Sequence, residues 1–241
     1  MTADRWAQAV RQQVGLGRLV PLGGPRDGAW IAEGAAGAVL GQTVALGMPG
    51  VRLGTLRIAL TDPAQAHEPV VPAPPGALPP GALRVTANFA ATAAEPLPAV
   101  ASLLRLTLAT AAAERLGLEV TAVDLRVTDL LDPGGEPGSA VPAPHPEPAR
   151  EVTDPDEVRV AVAALSVPGV SALTGTLGGM GRAVHLEARA ADAALPHRHV
   201  RVELATSADH RAVDVARRVR AVVREVLEDR PTVAVLVTAV T

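Results

Sequence analysis

The chain is expected to fold as an α+β protein of two similar α-β-β-α-β units, each a three-stranded mixed sheet with helices on one face. Three observations predict this. Period-two alternation of apolar residues gives way to helical spacing and returns, in both halves of the chain. The order helix, strand, strand, helix, strand occurs on each side of a proline-dense stretch. Met48-Pro49-Gly50-Val51, after the first helix of one half, is repeated as Val167-Pro168-Gly169-Val170 in the other. A length of 241 residues has room for two small units. The expected division is 1–131 for an N-terminal helix and the first unit, 132–150 for a Pro-rich linker, and 151–241 for the second unit.

A short helix is expected to open the chain, with Thr2 as cap and Trp6, Val10 and Val14 on one face. Asp27-Gly28, between Leu19–Leu22 and Ala29–Ile31, points to a hairpin. A helix over about 32–47 follows, weakened by Gly34, Gly37, Gly41 and Gly47. The first three share a face, which allows another backbone to come close. Leu56, Ile58 and Leu60 then alternate as a strand. Residues 62–80 form an insertion dense in proline, a composition that favours extended, solvated backbone. Leu83, Val85, Ala87 and Phe89 mark a second strand. A helix over about 96–116 places Val100, Leu103, Leu104, Thr107, Leu108 and Ala111 on one face, with Gly117 as a left-handed stop. Val123, Leu125 and Val127 complete the first unit.

The second unit opens at Asp154-Pro155-Asp156-Glu157, a capping box. Val158, Ala161, Val162 and Leu165 form the apolar stripe of that helix. Two strands carry Val184, Leu186, Ala188 and Val200, Val202, Leu204, with a turn expected near Ala193. A helix over about 209–228 buries Val215, Val219, Val222, Val223, Val226 and Leu227, and pairs Asp214 with Arg218 and Arg224 with Glu228 on its wet side. Thr232 to Val240 is polar on neither face, as suits a central strand. The sequence does not show whether the two units pair their sheets as a pseudo-dimer.

Composition removes several classes of function. The net charge of −3 leaves no global basic field for nucleic acid or anionic lipid. The absence of Cys excludes disulfides, thiol nucleophiles and Cys-ligated metal. All 22 basic residues are Arg, which follows the GC-rich codons of an actinobacterium-like source. The run Met1 to Gln8 lacks the apolar core of a signal peptide. No segment reaches the roughly 18 uncharged apolar residues that span a bilayer. Leu97 to Leu116 comes nearest but holds Arg105, Glu114 and Arg115. The expected location is the cytoplasm, with any membrane contact peripheral.

The order of elements, the Val167-Pro168-Gly169-Val170 turn, the run Gly175-Thr176-Leu177-Gly178-Gly179-Met180-Gly181 and the strand at Val200 to Thr206 resemble the alkaline shock protein family of the bacterial envelope stress response. The likeness covers Asp156 to Thr241 and, with the Pro-rich insertion as a departure, Ala29 to Leu131. The lack of a Lys-rich surface is a second departure. The resemblance implies a non-enzymatic scaffold in the cytoplasm, gathered at the inner face of the membrane by a small membrane-anchored protein and by related family members. It brings no catalytic residue, cofactor or metal ligand. Contacts are expected through an open sheet face, the Pro-rich insertion or unpaired sheet edges, and self-association is compatible with all three.

Other chemistry is weaker. His185, His197 and His199 share strand parity, and three imidazoles are able to hold zinc or nickel; a row of exposed polar residues with Glu187, Arg201 and Glu203 explains them more simply. This small metal-binding reading is one alternative. His67, His145 and His210 are expected to be plain surface. The Gly175–Gly181 run has backbone amides for phosphate but no Gly-Lys-Ser/Thr ending. Arg57, Arg84 and Arg126 on three successive strands suggest a nucleic-acid-binding α/β module as a second alternative, without the aromatic platforms that bases stack on. Arg217, Arg220 and Arg224 form a stripe that suits anionic lipid or a solvated helix face. Ser102, Ser139, Ser166, Ser171 and Ser207 lack a nucleophile-elbow context.

Overall fold

A computed structural model of the chain describes residues 16–132, 148–176, 181–191 and 194–241, with 189–191 and 194–197 described by their backbone alone. The expected helix at Trp6, Val10 and Val14 and most of the linker lie outside these residues. Nine strands are described: β1 Leu19–Pro21, β2 Ala29–Ala32, β3 Val51–Leu60, β4 Leu83–Thr92, β5 Val120–Leu131, β6 Val170–Leu173, β7 Val184–Ala191, β8 Ala194–Thr206 and β9 Thr232–Val240. The helices are α1 Glu33–Gly47, α2 Leu97–Ala111, α3 Pro155–Leu165 and α4 Ala212–Val226. The order matches the α+β expectation. Asp154 caps α3 by accepting the Asp156 and Glu157 N–H groups. After α2 the chain winds through a wide turn, Ala112–Leu116, and stops at Gly117 with φ +91°. A Cβ there would lie 2.2 Å from the Val213 side chain, so glycine is required twice over.

The strands form two separate sheets. One has the order β3-β4-β5; the other runs β1-β2-β9-β8-β6, with β7 also on β8. In both units the first strand is antiparallel to the second and the second is parallel to the third. The registers correspond closely. Val85 faces Val123 and Phe89 faces Val127; Val200 faces Val233 and Leu204 faces Val237. Each third strand then slips register at one residue, Thr128 or Thr238. Each of these threonines donates its hydroxyl to the opposite carbonyl, Phe89 O at 3.3 Å and Leu204 O at 3.2 Å. Arg105 Nε donates to Val123 O at 3.2 Å, and Arg220 Nε to Val233 O at 3.1 Å. Around the repeated Pro-Gly-Val turn, Thr92 N–H reaches Gly50 O and Ser207 N–H reaches Gly169 O. The two units therefore share one hydrogen-bonding plan.

They differ in their first strand. In the first unit it is β3, continuous but bulged between Leu53 and Leu56. In the second, Leu173 faces Leu204 and Val184 faces Val202, so the bulge position has grown into the segment 174–183 and split the strand into β6 and β7. The short β6 was not anticipated.

The sheets do not pair with each other. The hairpin β1–β2 forms where Asp27-Gly28 predicts it, but it extends the sheet of the second unit: β2 lies parallel to β9, with Ala29, Trp30 and Ile31 facing Val235, Leu236 and Val237. This makes β9 central and buried on both faces, as its sequence suggests. The hairpin is fastened by charge. Arg217 grips Asp27 through two bonds of 2.7 and 2.9 Å, and Arg220 donates to Arg26 O. Burial alone would raise the Asp27 pKa, but the Arg217 hydrogen bonds and the Gly24 N–H hold it below the usual carboxylate range.

Helix α1 packs against β3, β9 and α2, so both sheets rest on it. Its residues belong to one continuous apolar cluster that includes Phe89, Leu108, Val200, Val219 and Val237. A helix apolar on most of its circumference is a core helix. No backbone approaches Gly37, whose nearest neighbour is the Leu56 side chain at 4.0 Å from an ideal Cβ.

The far face of the larger sheet is covered by the Pro-rich insertion. Val71 is buried there with Leu19, Trp30, Ala234 and Leu236. Ala77 bridges to Leu19, and Trp30 Nε1 donates to Leu78 O at 3.0 Å. This stretch, expected to be solvated, is part of the wall. The end of the linker is also tied down: Pro148 bridges to Thr174, and Ala149 N–H donates to Leu173 O.

The first residue of α1 closes an exposed sheet edge. The buried carboxylate of Glu33 accepts the Ile58 N–H at 2.7 Å, and Arg18 donates to Ile58 O at 2.9 Å. Together they occupy the two groups that a neighbouring strand would take. Arg57 stands 3.4 Å from the same carboxylate. A hydrogen bond from a buried amide to an ionised acceptor contributes about 1.5–3 kcal/mol. Glu33→Ala is expected to lower stability by that amount, seen as a lower denaturant midpoint at an unchanged slope.

Candidate interaction surfaces

The polar residues singled out in the sequence do not converge. His185 faces Arg201 across β7–β8, and Glu187 faces His199. His185 Nε2 lies 3.1 Å from Arg182 O and 3.7 Å from Glu203 Oε1. His199 Nδ1 instead meets Thr232 Oγ1 at 2.9 Å. The His197 side chain lies outside the described residues. Among the described residues no group of three His, Cys, Asp or Glu side chains is arranged to hold a metal. The row is also less exposed than expected: His199 and Glu203 are buried.

Leu177 to Met180 of the Gly-rich run lie outside the described residues. At its near end, Thr176 N–H donates to Glu203 Oε2 at 3.0 Å. A carboxylate therefore holds an amide that a phosphate would need. The ends of the run meet closely, since a Cβ on Gly175 would lie 2.2 Å from Gly181 O. His210, expected on the surface, is partly exposed, and its ring covers Gly169, 2.8 Å from an ideal Cβ there. Ser102 Oγ donates to Pro98 O and Ser166 Oγ to Ala163 O, while Ser171 Oγ accepts from Thr241 Oγ1.

The two arginine sets serve the fold. Arg57 turns to Glu33, and Arg84 pairs with Asp124. Only Arg126 of that trio has no acidic partner among the described residues. Arg217 and Arg220 hold the hairpin, which leaves Arg224 of the expected stripe. Asp214 pairs with Arg217 and Arg211 rather than with Arg218. Arg198 ties Asp156 of α3 to Asp229, and its hydrogen bonds hold both carboxyls below their usual range.

What the structure leaves open is apolar. The stripe read as the buried face of α3 is the outer face. Val160, Ala163 and Ala164 are buried, whereas Val162 is 64% and Leu165 51% exposed, with Val158 beside them. The cause is the alanine-rich opposite face, which lets α3 lie close to α4 and the sheet. A second open region lies on the first unit. Leu103, expected in the core, is 51% exposed and Leu106 64%; on β5, Val127 and Leu130 are open as well. Helix Leu97–Leu116 is long and apolar enough by composition to cross a membrane, yet Leu104, Leu108 and Leu116 are fully buried in the core.

No protein-family model matches the chain, and no curated protein matches it.

The half-buried His185 provides a pH readout of this face. Burial, helped by Arg201 and Arg182, lowers its pKa below the ordinary 6.5, against the opposing pull of Glu187. A lowered folded-state pKa means that the unfolded chain takes up a proton first as pH falls. Stability is therefore expected to be full above about pH 6.5 and to decline below it. His185→Gln should flatten that part of a plot of denaturant midpoint against pH.

Proposed function

We propose that this chain is a non-catalytic adaptor that works by holding other proteins. The observation that supports the reading is the outward stripe of Val158, Val162 and Leu165 on α3. Its spacing is that of a helix face made to be covered, and nothing in the chain covers it among the described residues. A rigid support lies under it, because α3 is capped by Asp154 and tied through Asp156 to Arg198. Clustered apolar side chains on a well-supported helix suit a protein partner better than solvent.

The resemblance to alkaline shock proteins supplies the setting. In this reading the chain acts in the envelope stress response, in the cytoplasm, and reaches the membrane through a small membrane-anchored partner and related family members. The pairing of Arg57 and Arg84 with carboxylates speaks against the nucleic-acid alternative, because it removes most of the basic row that a phosphate backbone would meet.

The test is capture of the tagged chain from cells challenged with alkali, after separating soluble and membrane fractions. Recovery with a small membrane protein, released by detergent, is the expected result. Val162→Glu with Leu165→Glu should abolish the recovery while shifting the melting temperature little, since both sites face solvent. Recovery in the soluble fraction alone, or with RNA, would overturn membrane recruitment.

A further inference from the structure

Strand β5 is twelve residues long and is paired on one side only among the described residues. Its counterpart β9 is paired on both sides, because β2 lies along the equivalent edge. The correspondence is detailed. Val235 donates its N–H to Gly28 O across that edge at 3.1 Å, and Leu125 stands in the same position of the first sheet. Arg220 and Arg217 hold the hairpin that brings β2 there; their counterparts are Arg105 and Ser102, which meet no hairpin. The fold thus contains two copies of a strand-accepting edge and one strand to fill them. The open copy is also the apolar one. Val127 is 40% and Leu130 58% exposed.

A long, open, apolar edge calls for a cover, and the residues along β5 indicate which. We propose that the cover is β5 of a second copy of this chain, paired antiparallel about a two-fold axis at Leu125. In that register Asp124 lies opposite Arg126 of the other copy, twice over by symmetry. On the helix side Val123 lies opposite Val127, and Leu125 opposite Leu125. Both faces are self-complementary: opposite charges meet on one and apolar side chains on the other. A shift of the axis by one residue would set Arg126 opposite Arg126, or Asp124 opposite Asp124, like charges in place of opposite ones. The joined sheets form one six-stranded sheet, with the two α2 helices side by side over the seam. Val127 is then shielded from water. The contact is isologous and closes on itself, so the product is a dimer and not a filament.

This inference does not depend on the adaptor reading, which concerns α3. The test is the mass in solution of the full chain, by light scattering or sedimentation over a range of concentrations. The expected result is twice the chain mass of 24.6 kDa. Arg126→Asp sets like charges opposite at both symmetric contacts, and should weaken the dimer about tenfold or more. Asp124→Arg should do the same. Mixing the two variants restores opposite charges at both contacts and should restore dimers. Circular dichroism and melting of each variant report whether the fold is kept. A monomeric wild-type chain, a dimer indifferent to Arg126→Asp, or a mixture that stays monomeric would overturn the proposal. So would a dimer that is lost in the Val162→Glu/Leu165→Glu variant, because the contact would then lie on α3.

Discussion

The carboxylate of Glu33 sits where three parts of the molecule meet. It starts α1, it accepts the Ile58 amide from the edge of the first sheet, and it lies against Arg18 at the entry to the hairpin. Arg18 in turn accepts the Glu33 N–H on its carbonyl oxygen and donates to Ile58 O. This small lattice holds α1 in place, and both sheets pack on α1. A buried carboxylate is costly unless its lone pairs are used. Here the Ile58 amide and the Arg57 guanidinium use them, with the Arg18 charge 3.9 Å away. The side chains of Arg18 and Arg57 remain about half or more exposed, so their charges contribute modestly, and the amide bond carries most of the specificity.

The two units share a scaffold, and their differences supply everything specific to it. The threonine at the register slip, the arginine reaching the third strand and the Pro-Gly-Val turn make the same bonds in both units. Their surroundings diverge. One unit gained a proline-rich arm that reaches across to the other sheet, and the other gained the segment that splits its first strand. As a result the far face of one sheet is dry around Trp30, and that of the other is wet and polar. Equivalent sheet edges likewise have different fates, one paired and one open.

Much of this was legible along the chain. Alternation and caps mark the strands and helices because they are local signals, fixed by backbone geometry. The correspondence of the two units shows in the Pro-Gly-Val turn for the same reason. Long-range choices leave no such mark. The hairpin is written in Asp27-Gly28, but its partner β9 comes from the far end of the chain. The stripe on α3 is clear as periodicity, yet periodicity does not say which face meets the core. Val160, Ala163 and Ala164 prevail because alanine permits a close approach, and alanine carries little weight in a GC-rich sequence. The histidine row has the parity expected for it. Its partners, Arg182 O and Thr232, come from a loop and another strand, and no spacing rule predicts them.

The pairing of β2 with β9 joins residues 29–31 to residues 235–237. One sheet thereby ties together two segments far apart in the sequence. On a ribosome the hairpin emerges early and must wait for the final strand before that sheet is finished. Contacts of such wide sequence separation are slow to form, because loop closure comes before any gain from pairing. Without β9, both β2 and the edge of β8 would lie open at once.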